Sequence, residues 1–159
     1  MRTRKNWIVA GVLFGLALTF PALAGAQAKD APKHTVGVFG GGSHVDSETE
    51  FHVGLLYEYR PIPLVGLGPM IDYTPSAFDD GMNAFVGALH LHPWRGLRLT
   101  AGAGAAVVYD HHVETDFLAR VGAAYEFEVG PIGLMPTLNF DFFDSEQAVI
   151  FGLTVVKGF

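Results

Sequence analysis

Eleven ionisable residues stand at alternate positions within otherwise apolar stretches: His52, Glu58, Arg60, Asp72, His90, His92, Arg98, Arg120, Glu126, Glu128 and Asp141. Every second residue of a β-strand shares a face, so this spacing collects bases and acids on one side of a set of strands, opposite an apolar side. In a narrow interior an unpaired charge is costly, and the chemistry such a face requires is mutual neutralisation. Antiparallel pairs centred on their intervening turns place His52 opposite Asp72, Arg120 opposite Asp141, and Arg98 opposite Glu128 with His92 on the neighbouring strand. The expectation is a structural charge network that also closes the lumen to solutes.

Other reactive groups are arranged less productively. Asp110-His111-His112-Val113-Glu114 combines imidazole with carboxylate, donors suited to zinc or nickel, but adjacent histidines in a polar loop lack the i, i+2 spacing of a strand pair. They read as solvated loop residues. His90 and His92 do have that spacing, and read as interior hydrogen-bonding groups. The serines Ser43, Ser47, Ser76 and Ser145 lie in or beside loops; Ser43 adjoins His44, but neighbours on a strand point to opposite faces. No metal site, cofactor or catalytic site is expected. A net charge of −6 argues against a nucleic-acid partner.

The elements that must hold the charged face are segments of about ten residues between turn signals. Thr35 to Ser43 is glycine-rich, and its faces are not separable by pattern. The next segment sets Phe51, Val53, Leu55, Tyr57 and Tyr59 against Glu50, His52, Gly54, Glu58 and Arg60. Leu64–Tyr73 follows, and then a segment with Phe85, Leu89 and Leu91 on one face. Leu97 to Tyr109 and Phe117 to Phe127 alternate almost without a break, and Ile132 to Phe142 opposes apolar residues to Gly133, Thr137, Asn139 and Asp141. The eighth runs from Ala148 to the end of the chain. Connections alternate between tight Pro/Gly turns, such as Arg60-Pro-Ile-Pro and Pro93-Trp-Arg-Gly, and polar acidic loops such as His44 to Thr49 and Thr74 to Met82.

Composition indicates which face meets what. Half of the 159 residues are hydrophobic and there is no cysteine, so closure must come from the strand ladder rather than disulfides. The face opposite the apolar one is mostly Gly and Ala with isolated charges, as a crowded interior would be, and not the Lys/Glu/Thr surface of a water-facing sheet. Tyr57, Tyr59, Tyr73, Tyr109, Tyr125, Phe127 and Phe159 gather near strand ends on the apolar face, where an interfacial girdle places aromatics. The alternative, a soluble lipocalin-like ligand binder, would turn the apolar face inward. At the N-terminus, Arg2, Arg4 and Lys5 precede an uncharged run from Trp7 to Phe20, Pro21 and the small-residue site Ala26-Gln27-Ala28. This reads as a signal peptide over residues 1–28, cleaved to leave a single domain over 29–159.

The ending, with Phe151, Leu153 and Val155 alternating toward a terminal Phe159, resembles the signal by which outer-membrane barrels are handed to the barrel assembly machinery. Lys157 departs from the apolar residue usual in its place. With the leader and the strand count, the chain resembles the small eight-stranded outer-membrane proteins, the OmpX, OmpW and OmpA barrel-domain group. The resemblance implies an all-β, antiparallel, up-and-down transmembrane barrel in the bacterial outer membrane, a monomer in contact with membrane lipids and lipopolysaccharide. Both termini and the tight turns then face the periplasm. The acidic loop residues Asp46, Glu48, Glu50, Asp79, Asp80, Asp144 and Glu146 are expected to form a solvated rim. Among such barrels, lipid A deacylases resemble this chain in size but use a His-x-Ser pair that is absent here; a lipid-modifying enzyme and a narrow channel are the other functional alternatives.

Overall fold

A computed structural model describes residues 31–45, 47–75, 81–109, 113–143 and 146–159. The expected leader over residues 1–28 lies outside them, as do Asp46, Ser76, Asp79, Asp80, Asp110, His111, His112, Asp144 and Ser145. The strands are β1 (His34–Val45), β2 (Glu48–Ile62), β3 (Val65–Thr74), β4 (Met82–Trp94), β5 (Leu97–Tyr109), β6 (Val113–Tyr125), β7 (Phe127–Val129), β8 (Ile132–Phe142) and β9 (Gln147–Gly158).

Successive strands pair antiparallel, and β1 also pairs with β9. Both β6 and β7 pair with β8, so they form one stave interrupted at Glu126, and nine segments close into an eight-stranded barrel. Among the described residues, closure pairs every strand on both sides except the short β7. The tight turns require backbone shapes that favour glycine: Gly96 and Gly130 have φ of 81° and 60°. These turns, with His34 and Phe159, mark one rim of the barrel.

Large apolar side chains cover the outside, while the inside holds the charged groups together with a smaller apolar set that includes Phe39, Leu56, Met70, Val86, Leu118 and Met135. Phe51, Leu55, Tyr57, Leu67, Ile71, Phe85, Leu89, Phe117, Phe140 and Phe151 are exposed, whereas Glu58, Asp72, Arg98, Arg120 and Asp141 are buried. This is the reverse of a lipocalin-like interior. The glycine-rich β1, ambiguous by pattern, resolves into inward Thr35, Gly37, Phe39 and Ser43 and outward Val36, Val38 and Gly40. At the tight-turn rim, His34 stacks on Phe159 with ring centres 5.6 Å apart and lies 5.3 Å from Tyr59, while its Nδ1 hydrogen-bonds the Tyr57 hydroxyl at 2.8 Å. Tyr125 and Phe127 pack together at 5.0 Å. The Tyr109 side chain, expected in the same girdle, is outside the described groups.

Candidate functional site

The inward charges assemble into two clusters that reach across the lumen. In the first, Arg120 on β6 faces Asp141 on β8 as a direct cross-strand pair. Its Nε and Nη2 donate to the two Asp141 carboxylate oxygens, each at 2.6 Å, the bidentate geometry in which a planar guanidinium matches a carboxylate. Its Nη1 donates to Asp72 on β3. β3 lies on the opposite wall from β8, so one guanidinium ties the two sides of the barrel together. His52 Nε2 lies 3.8 Å from Asp72, its Nδ1 hydrogen-bonds the Thr74 hydroxyl at 2.7 Å, and the Phe39 ring meets it edge-on at 5.4 Å.

The second cluster lies nearer the tight-turn rim and centres on Glu58 of β2. Its Oε1 accepts from His92 Nε2 at 2.6 Å and from Arg60 Nε at 2.8 Å, and its Oε2 lies 3.8 Å from Arg98 Nη1 on β5. His90 hydrogen-bonds Thr100 at 3.0 Å across the β4/β5 pair. Glu58 Oε2, Arg98 Nε and His90 Nε2 are buried without a hydrogen-bond partner among the described residues.

Glycines make room for these side chains. A Cβ at Gly66 would collide with the Glu58 carboxylate, one at Gly54 with Asp72, one at Gly122 with Asn139, and one at Gly133 with Glu126. The interior face is therefore Gly-rich where a charged side chain lies flat across the neighbouring strand, and Glu126 turns inward over β8 in this way. Between the clusters remains a void of about 10 Å³, lined by His52, Asp72, Arg98, Thr137, Asn139 and Thr154 among others, with room for about one water. Thr137 and Thr154 hydrogen-bond each other beside it at 2.9 Å.

Two expected pairs differ from the observed register. Asp72 lies opposite Gly54 rather than His52, because Ile62 pairs with Val65 and the turn is therefore centred beyond Ile62, between Pro63 and Leu64; His52 still reaches Asp72 diagonally. Arg98 lies opposite Ala124, not Glu128. The β5/β6 ladder runs up to Tyr109 and Val113 inside what reads as a polar loop, which moves the hairpin centre and slides β6 by four residues. Glu128 thereby falls at the rim, two-thirds exposed, and pairs with the equally exposed Arg95 at 2.9 Å. Arg98 instead finds Glu58 across the barrel.

Phe39, Thr74 and Leu118 also line the interior without a signal of charge in the sequence. All occupy the inward parity of their strands, but as uncharged residues they carry no partner requirement that would mark them in the sequence. Ser43 and His44 do point apart: Ser43 is buried, while exposed His44 hydrogen-bonds Thr49 at 2.9 Å. Among the described residues no cluster of three or more His, Cys, Asp or Glu could hold a metal ion.

A closed antiparallel barrel of eight staves, apolar outside and lined inside by charged clusters beside a smaller apolar set, has the fold of the small eight-stranded outer-membrane barrels. The attachment invasion locus protein Ail of Yersinia pestis matches with a TM-score of 0.61 at 11% identity, covering 82% of this chain and 100% of that one. The N-terminal barrel domain of Pseudomonas aeruginosa OprF gives a TM-score of 0.56 at 16% identity, covering 82% and 100%. A de novo designed transmembrane β-barrel gives 0.56 at 18% identity, covering 81% and 99%. Neither a protein-family model nor a curated protein matches the sequence.

Proposed function

We propose that this protein is an integral barrel of the bacterial outer membrane, exported by a leader over residues 1–28, monomeric, without cofactor and non-catalytic. Its role is structural or surface-interacting, in contact with outer-membrane lipids and lipopolysaccharide, and its lumen is closed by the inward charges. The observation that carries this reading is the inversion of polarity. A belt of exposed Phe, Leu, Ile and Val encircles a barrel whose buried groups include Glu58, Asp72, Arg98, Arg120 and Asp141. In water such a belt would cost about 25 cal/mol per Å² of apolar surface, whereas in hydrocarbon it is solvated and the closed ladder satisfies the backbone.

The two charge clusters and the small void between them support a plugged interior rather than a pore. The test is refolding into phosphatidylcholine vesicles. The folded protein should migrate differently on gels before and after boiling, resist protease within the vesicle, and show no steady conductance in a planar bilayer. Identical mobility and full digestion would overturn the membrane assignment; a persistent open conductance would overturn the closed lumen.

A further inference from the structure

The outer surface over β1 is not an even belt. Its outward residues, Val36, Val38, Gly40 and Gly42, are low between the ridges of its neighbours: Tyr57, Leu55, Val53 and Phe51 on β2, and Val155, Leu153 and Phe151 on β9. At the tight-turn end a groove of about 400 Å³ opens over this path, lined by Val36, Val38, Leu55, Ile132, Val155 and Lys157 among others. Further along, a Cβ built on Gly40 meets nothing within 4 Å, so the channel continues open past that residue until the Phe151 ring, 3.0 Å from a Cβ on Gly42, closes it.

The polar end is as specific as the apolar bed. Lys157 is exposed, pairs with Val36 in the ladder, and forms no ion pair among the described residues. It occupies the same outward row as Tyr57, and the next row toward the rim is Tyr59, His34 and Phe159. A lone ammonium thus stands at headgroup level beside aromatic rings, above a bed of aliphatic side chains. From Val36 to Gly42 the strand rises about 20 Å, and at a tilt of roughly 40° it descends about 15 Å, half of a hydrocarbon core about 30 Å thick.

From this geometry we infer that the groove over β1 holds one glycerophospholipid of the leaflet at the tight-turn rim, an acyl chain lying along Val36, Val38 and Gly40 and the phosphate at Lys157. The inference rests on the membrane reading above. The charge at one end and the one-leaflet length select a phosphate-bearing lipid over a second copy of the barrel, which would need neither.

The test uses the full mature chain refolded in detergent, titrated with dipalmitoylphosphatidylglycerol or with dipalmitoylglycerol, which lacks the phosphate, and read by native mass spectrometry. The wild type should retain one phosphatidylglycerol and bind dipalmitoylglycerol about tenfold more weakly, the loss of one charge-assisted contact. Lys157→Gln should abolish that preference, and Gly40→Leu, which fills open space, should remove retention of both lipids. Gly87→Leu fills another outward dent, between Leu89 and Ala103, and should change nothing. Equal binding of the two lipids, equal effects of Gly40→Leu and Gly87→Leu, or a doubled protein mass in place of the lipid adduct would each overturn the proposal. Heat-modifiable mobility is recorded for every variant: its presence with no selective adduct sinks the lipid site alone, and its absence from the wild type sinks the membrane reading with it.

Discussion

The two charge clusters solve the same problem with different completeness. Around Arg120 the guanidinium donates to both oxygens of Asp141 and to Asp72 on the far wall. Around Glu58 the carboxylate has two close donors, but Arg98 is only within 3.8 Å and its Nε has no hydrogen-bond partner among the described residues. The difference follows position. Arg120 sits inside a continuous cross-strand pair that fixes its geometry, whereas Glu58, buried as completely, draws its donors from Arg60 on its own strand and from His92 and Arg98 on strands that do not pair with β2. A partner opposite in the ladder gives tight pairing; partners that converge from several strands leave polar atoms unmatched.

Removing the centre of the tighter cluster should have the largest effect. Arg120→Ala leaves Asp72 and Asp141 buried without their common partner and should destabilise the refolded barrel by about 4 kcal/mol in denaturant titrations. Adding Asp141→Ala should recover part of that loss; a double-mutant cycle with no coupling would mean that the pair does not act as a unit.

Glu58→Gln keeps the shape but removes the charge that faces Arg60, His92 and Arg98. It should cost about 2 kcal/mol, less than the Arg120 change because the amide oxygen of Gln can still accept from one of the donors. An equal or larger loss would erase the proposed distinction between the two clusters. Gly66→Ala tests the same cluster sterically: its Cβ runs into the Glu58 carboxylate, and the displacement should cost about 1.5 kcal/mol. Combining it with Glu58→Ala should make it nearly neutral; if it does not, the cradle argument is wrong.

The smallest effect belongs to the exposed pair outside both clusters. Arg95→Ala breaks a contact with Glu128 in which both side chains are mostly exposed and should change stability by about 0.3 kcal/mol, fading as salt is raised. A loss near that of Glu58→Gln would show that exposure does not separate the rim from the lumen.

Much of this architecture was legible because a strand repeats every two residues. From Phe51 to Tyr59 and from Phe117 to Phe127, alternation assigned most residues a face, apolar Leu56 and Leu118 on the inward side excepted, and the Pro/Gly turns bounded the staves. The direct pairing of Arg120 with Asp141 was legible too, since the turn at Gly130 is tight and leaves little freedom in the count. Reading was weakest where side chains are small or turns are long. β1 lacked contrast because glycine marks neither face, and the β5/β6 register slipped because residues that look like a polar loop extend the ladder.

What the sequence by itself determined is the periodicity, the number of staves and the set of inward charges, all consequences of local alternation and turn chemistry. What only the tertiary structure decided is which charge meets which. Asp72 joins Arg120, and Arg98 joins Glu58, from staves separated by others, and no local rule relates such residues. Closure of the sheet brings opposite walls within a side chain's reach, and the charges then take the partners that the narrow lumen presents.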